Sequence, residues 1–278
     1  MTTLVASLLM AVAGAAPGAE APSAARPQVE VTYLANEGFL LRSGGSSVLI
    51  DAFIARPYAG SPALPGAAMN QLKQAAAPFD GVDLALVSHG HGDHFQPVPA
   101  RAFMAAAPEA VLASTPQVIE QFLHHYPLGI EGRERLQTVL PEPGEWLRFE
   151  QGGIGVEVMS LSHGTGEFAS VQNLGHLIRI GGMTVLHVGD AAIDARSFAP
   201  YELAGAGIDV ALLPYWYWLE DGGPELVATQ LKAEVHVACH LHVETAAEVS
   251  ASLRRDFPEV VLFERPLETR RFERARSR

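Results

Sequence analysis

The 278-residue chain is 48% hydrophobic and 18% charged, which supports a large packed core and excludes a disordered polyelectrolyte. Its formal net charge of −12 repels phosphate backbones, so no nucleic-acid partner is expected and a small-molecule substrate is. The single cysteine, Cys239, allows neither an intramolecular disulfide nor a cysteine-rich metal site, so any metal falls to histidines and carboxylates.

Along the chain, Leu4 to Ala13 is an apolar run followed by the small residues Gly14 to Ala19. The pattern reads as a signal peptide within a leader of residues 1–27, although Met1-Thr2-Thr3 supplies no positive charge. Export to a periplasm is expected, with a mature N-terminus between Ala16 and Ala24; an unprocessed leader would leave the protein cytoplasmic. One domain should then occupy residues 28–270. Strands are predicted at Val29–Leu34, Gly38–Leu41 and Ser47–Ile50, with Gly44-Gly45 as a turn. A loop over Arg56–Pro65 and a helix over Pro65–Ala77 precede the apolar strand Leu84–Val87. Helices at Pro99–Ala107 and Pro116–His125 flank a strand at Val111–Ala113. The stretch from Glu145 to His187 reads as nearly all β: Trp146–Phe149, Gly155–Ser160, Leu174–Ile180 and Thr184–Val188, the last two joined at Gly181-Gly182. Strands Val210–Leu213, Val235–Ala238 and Val260–Phe263 then alternate with helices Glu225–Leu231 and Val243–Leu253. The arginine-rich end, residues 271–278, reads as a solvated tail. Two mixed halves of this kind suit an α/β fold of two stacked sheets with helices outside.

The densest chemistry is Ser88-His89-Gly90-His91-Gly92-Asp93-His94, directly after an apolar strand. Metal binding needs several lone pairs converging at about 2 Å, and a glycine-containing loop at a strand end can turn successive side chains to one point. One such loop cannot complete two ions, so further ligands are expected at other strand ends. His163, Asp190 and His240 each follow an apolar β-run, where open α/β architectures place functional groups.

His-x-His-x-Asp-His, a lone His 69 residues on (94 to 163), Gly-Asp after 27 more (163 to 190) and a last His after 50 (190 to 240) resemble the metallo-β-lactamase superfamily signature. Gly38 to Leu41, Val48 to Asp51 and Gly175 through Asp190 are most similar to one branch, the ascorbate-6-phosphate-lactonase-like proteins and N-acylphosphatidylethanolamine phospholipase D. The resemblance implies a four-layer αβ/βα sandwich with a binuclear centre: His89, His91 and His163 on one ion, Asp93, His94 and His240 on the other, and Asp190 bridging. It implies Asp51 behind them, orienting a ligand histidine. The ligand set suits two zinc ions, with Mn or Fe as alternatives. The implied reaction is attack of a metal-activated hydroxide on an ester-like bond, a phosphodiester or a lactone, with Asp93 and Asp190 as catalytic carboxylates. Ser162-His163-Gly164-Thr165-Gly166 departs from the Thr-Pro-Gly-His-Thr segment of lactamases and glyoxalases, which argues against β-lactam hydrolysis.

Competing readings are a phospholipase D-like phosphodiesterase acting at membranes and a non-catalytic binder on the same fold. Tyr215-Trp216-Tyr217-Trp218 follows a strand on the ligand edge, and is a candidate substrate wall or an oligomer interface. Asn36-Glu37, at the turn before Gly38, and His242 are further candidate substrate contacts, His242 also suiting a helix start. His124, His125, His176, His187 and His236 read as surface or core residues. The oligomeric state is left open.

Overall fold

The computed structural model describes residues 26–125 and 132–274; the expected export signal lies outside them. The first half contributes β1 (Gln28–Ala35), β2 (Gly38–Ser43), β3 (Ser46–Ile50), α1 (Gly66–Lys73), β4 (Leu84–Val87), α2 (Pro97–Ala106), β5 (Val111–Ser114), α3 (Pro116–His125) and β6 (Leu136–Thr138). The second half contributes β7 (Leu147–Gln151), β8 (Ile154–Ser162), β9 (Gln172–Ile180), β10 (Met183–His187), α4 (Ala195–Phe198), β11 (Ile208–Pro214), α5 (Trp216–Leu219), α6 (Gly223–Thr229), β12 (Ala233–Cys239), α7 (Ala246–Asp256), β13 (Val261–Leu262) and β14 (Thr269–Glu273). No helix among the described residues is long and apolar enough to cross a membrane.

Two seven-stranded sheets result, ordered β14-β1-β2-β3-β4-β5-β6 and β13-β12-β11-β10-β9-β8-β7. Each begins as an antiparallel meander and continues as parallel strands, β3 to β6 in one and β10 to β13 in the other. The meanders turn on glycine pairs. Gly181 and Gly182, at φ 56° and 78°, close β9 onto β10, a conformation that a β-carbon would strain.

Alternation along the strands builds the layers. Val48 and Ile50 of β3 and Leu84 and Leu86 of β4 enter the core between the sheets. Leu49, Ala85 and Val87 point the other way, beneath the helices that cover the first sheet. Leu186, Ala211 and Leu213 do the same under the helices of the second. Both faces are therefore dry, which is why β4 is an unbroken apolar run. Each fully buried Leu, Val or Phe contributes roughly 1.5–3 kcal/mol. The layers are those of an αβ/βα sandwich.

The C-terminal ends of β1, β3, β4, β8, β10, β11 and β12 lie along one edge of the sandwich, and every candidate ligand follows one of them. Several boundaries differ from expectation. Helix α7 starts at Ala246, because Leu241 to Thr245 form a turn in which the His242 carbonyl accepts from the amides of Thr245 and Ala246. The expected tail beginning at residue 271 is corrected. Arg271 to Glu273 belong to β14, which pairs antiparallel with β1 from Thr32↔Thr269 to Gln28↔Glu273. Arg274 then holds the buried Asp209 with two bonds, of 2.8 and 2.5 Å.

Candidate metal centre

Apolar strand β4 delivers Ser88 and His89 to the edge, and the loop then turns back on itself, with the amides of His94 and Phe95 both bonded to the His91 carbonyl. This turn aims alternate side chains inward. The His89 Nε2 and His91 Nδ1 atoms face each other at 3.1 Å. His163, past the end of β8, brings its ring to 4.8 Å from each of theirs. Asp190 arrives from β10 through Gly189, whose φ is 54°. Its Oδ2 lies 3.7 Å from His89 Nε2 and 3.5 Å from His163 Nε2. Its Oδ1 lies 3.2 Å from His94 Nε2 and 3.3 Å from His240 Nε2. One carboxylate thus addresses two ligand sets, His89-His91-His163 on one side and Asp93-His94-His240 on the other. Within each set the donor atoms lie within 4.8 Å of one another.

The residues fit divalent cations on geometry alone. His163 and His240 are nearly buried, yet neither ring nitrogen of either has a hydrogen-bond partner, and Asp190 Oδ1 has none. Such groups stay buried only when something compensates them. Contacts of 3.2–3.7 Å with poor alignment describe atoms that face a common point rather than one another.

Charge is distributed unevenly between the sets. Burial and the neighbouring His94 hold His89 well below the ordinary histidine range, and burial and His163 lower His91. Burial opposes protonation of His94 and His240 too, but Asp190 overcomes it. With Asp51 assisting, Asp190 holds His94 well above its usual value; with Asp93 assisting, it lifts His240 to about 10. Asp190 itself is driven well down: burial pushes against ionisation, and His94 and His240 outweigh it.

Behind the donors lies a buried support. Asp51 Oδ2 bonds His94 Nδ1 at 2.8 Å, which frees His94 Nε2 for the centre, and also accepts from Ser88 Oγ at 2.5 Å. Ser88 Oγ lies 3.0 Å from His89 Nδ1, so one carboxylate orients two histidines. Sequence reasoning missed Ser61, which comes from the expected loop and donates to Asp93 Oδ2 at 3.0 Å. Glu37, expected with Asn36 at a substrate contact, is corrected: it is buried 3.3 Å from His187 Nε2, where burial is outweighed by Glu37 and the His187 pKa rises. His187 and His176 are core residues; burial takes His176 down to about 3.

The substrate candidates divide. Asn36 is fully buried, so the expected substrate contact is corrected: its Nδ2 donates to the Asp93 carbonyl at 3.1 Å, bracing the ligand loop. Tyr217 and Trp218 are also corrected, being buried under the second sheet, where the Tyr217 hydroxyl donates to Ala191 O at 2.8 Å. Trp216 remains on the site, its ring 4.9 Å from His240, and Tyr215 packs against Trp216 at 5.6 Å. The His242 ring is 5.3 Å from that of His240. Phe168, absent from the sequence reading, stacks on His163 at 5.1 Å and 13°. A cavity of about 920 Å³ on the other side of the ligand loop is bounded by Gly90, Gly92, Arg56 and Tyr58 and by none of the converging donors.

Comparison with known proteins agrees with this architecture. The family model for the beta-lactamase superfamily domain matches residues 30–240. A UPF0173 metal-dependent hydrolase of Pelotomaculum thermopropionicum is 30% identical over 196 residues, covering 67% of this chain and 72% of the relative. A Thermus thermophilus protein of the same description is 29% identical over 191 residues, 67% of this chain and 70% of its own. Among solved structures, Igni18, a metallo hydrolase from Ignicoccus hospitalis, superposes with a TM-score of 0.62 at 21% identity, over 89% of this chain and all of that one. The chain belongs to the metallo-β-lactamase superfamily. Within it, the protein is a metal-dependent hydrolase, and the non-catalytic reading falls.

Proposed function

We propose that the protein is a binuclear zinc hydrolase that cleaves an ester-like bond, a phosphodiester or lactone, of a small molecule. The observation that carries this is the position of Asp190, with one oxygen 3.5–3.7 Å from His89 and His163 and the other 3.2–3.3 Å from His94 and His240. Five imidazoles and two carboxylates, without thiolate, are a donor set that suits zinc at both positions. When bound, the cations supply Lewis acidity to the scissile group and lower the pKa of water.

The chain's own residues do the remaining work. His89, His91 and His163 would hold one cation and Asp93, His94 and His240 the other, with Asp190 between. Asp51 and Ser88 fix the ring orientations of His94 and His89. Asp93, held by Ser61 and facing His240 Nε2 at 3.4 Å, is the carboxylate placed to take a proton from the attacking water and pass it towards the leaving group. Trp216 and Phe168 narrow the approach and exclude solvent. Turnover of bis(p-nitrophenyl) phosphate and of a simple lactone by zinc-loaded wild type and Asp190→Ala tests the reading. Wild type should cleave one probe and hold two zinc ions per chain. Full turnover by the variant, or one ion in wild type, would overturn it.

A further inference from the structure

Beside the donors opens a cavity of about 630 Å³, bounded by His163 and Asp190 and by Phe168, Trp216, Glu220 and Asp221. Both rings are held by metal-facing imidazoles. Phe168 stacks on His163 at 5.1 Å and meets the edge of His91 at 6.0 Å, while Trp216 sits 4.9 Å from His240. Phe168 nevertheless stays 42% exposed, in a short turn after the strand that carries His163. The exposed face of Phe168 and the Trp216 ring thus both border the cavity beside the donors. His163 adds two buried ring nitrogens without hydrogen-bond partners on the same cavity.

The charge of the lining selects among occupants. Glu220 and Asp221 are exposed, and among the described residues no cation pairs with either. The backbone holds them in a turn, the Glu220 amide on Trp216 O at 3.0 Å and the Gly223 amide on Glu220 O at 3.1 Å. The cavity lining contains no lysine or arginine. Aromatic faces carry negative quadrupole charge, and two such faces with carboxylates beside them attract an ammonium group.

We propose that this cavity seats an alkylammonium group of the substrate, so that the bond cleaved belongs to a molecule bearing positive charge beside its scissile centre. The substrate class rests on the hydrolase reading above; the binding of the cation does not. The probes are choline and its uncharged carbon isostere, 3,3-dimethylbutan-1-ol, titrated calorimetrically into the zinc-loaded protein. Choline should bind roughly tenfold more tightly, the preference should vanish in Glu220→Gln/Asp221→Asn, and Phe168→Ala should weaken it severalfold. Unchanged zinc content and melting temperature in the variants would show that the fold is intact. Equal affinity for the two probes, or a preference that survives the double variant, overturns the proposal. Parallel turnover of a p-nitrophenyl ester bearing a trimethylammonium group and of its tert-butyl isostere separates the two readings. A choline preference with neither ester cleaved leaves the cation site standing and counts against ester hydrolysis; cleavage of both at one rate counts against the cation site alone.

Discussion

Asp190 carries the demand for balance at the centre of the site, because each of its oxygens answers a different group of histidines. Removing it leaves four imidazoles facing one another without their shared carboxylate. Asp190→Ala should therefore lose at least one of two bound ions, measured by elemental analysis, with turnover falling in proportion or further. Asp51 acts one bond further out. Asp51→Asn keeps the shape but deprives His94 Nδ1 and Ser88 Oγ of a charged acceptor, and should cost roughly 10–100-fold in zinc affinity while leaving the melting temperature of the metal-loaded protein little changed. Retention of wild-type affinity would remove Asp51 from its orienting role. The donors were legible in the sequence because a polar residue directly after an apolar strand has few reasons to be there except chemistry. Ser61 was not, since nothing local distinguishes a serine in a loop that meets Asp93 from one that meets water. Tyr217 and Trp218 misled for the opposite reason: a run of aromatics advertises a surface, but a helical turn in α5 sends two of the rings inward.

At the level of elements, the edge of the sandwich depends on how strands end. Gly189 turns β10 into the site with φ 54°, and a β-carbon there would stand 2.5 Å from Asn173 Oδ1 and 2.7 Å from Ser88 Cβ. Gly189→Ala should destabilise by roughly 1–3 kcal/mol and displace Asp190, seen together as a lower melting temperature and lost zinc. The same substitution at Gly44, where nothing lies within 4 Å, should leave zinc content intact. Strand β14 gives a second prediction. A chain ending at residue 270 would lose most of the pairing to β1 and strip the buried Asp209 of Arg274. Asp209 would keep the Thr184 amide at 2.7 Å, so losing its charged partner should cost roughly 1–3 kcal/mol, or about 2–4 °C per kcal/mol in a domain of this size; an unshifted melting curve would show that β14 is dispensable. The two sheets, their glycine turns and most helices could be read from periodicity. Strand β14 could not, because Thr269-Arg270-Arg271-Phe272-Glu273 alternates with a single apolar residue, Phe272, packed on the core, and pairing alone makes it a strand.

Over the whole molecule, the sandwich brings one proton-poor and one proton-rich histidine set to the same edge, and this asymmetry predicts how the centre responds to pH. In the metal-free protein His240 keeps its proton up to about pH 10, and His94 is also raised, whereas His89 and His91 are held below the usual value. A raised native pKa stabilises the fold fully below the unfolded value near 6.5. That contribution fades as pH climbs through about 10, so the metal-free protein should weaken in alkali. Metal binding runs the other way, since a cation on Asp93, His94 and His240 must expel those protons, while one on the other set meets His89 and His91 already biased to their neutral forms. Affinity at the first set should rise steeply between pH 6 and 9, and at the second only slightly. Acidifying the zinc-loaded protein should then release one ion before the other, and Asp93→Ala should bind a single ion whose affinity depends on pH less steeply than that of the lost site. Calorimetric titration in buffers of different ionisation enthalpy counts the protons directly. Two ions released in a single step, with equal proton counts, would mean that the shared Asp190 couples the sets so tightly that neither titrates alone.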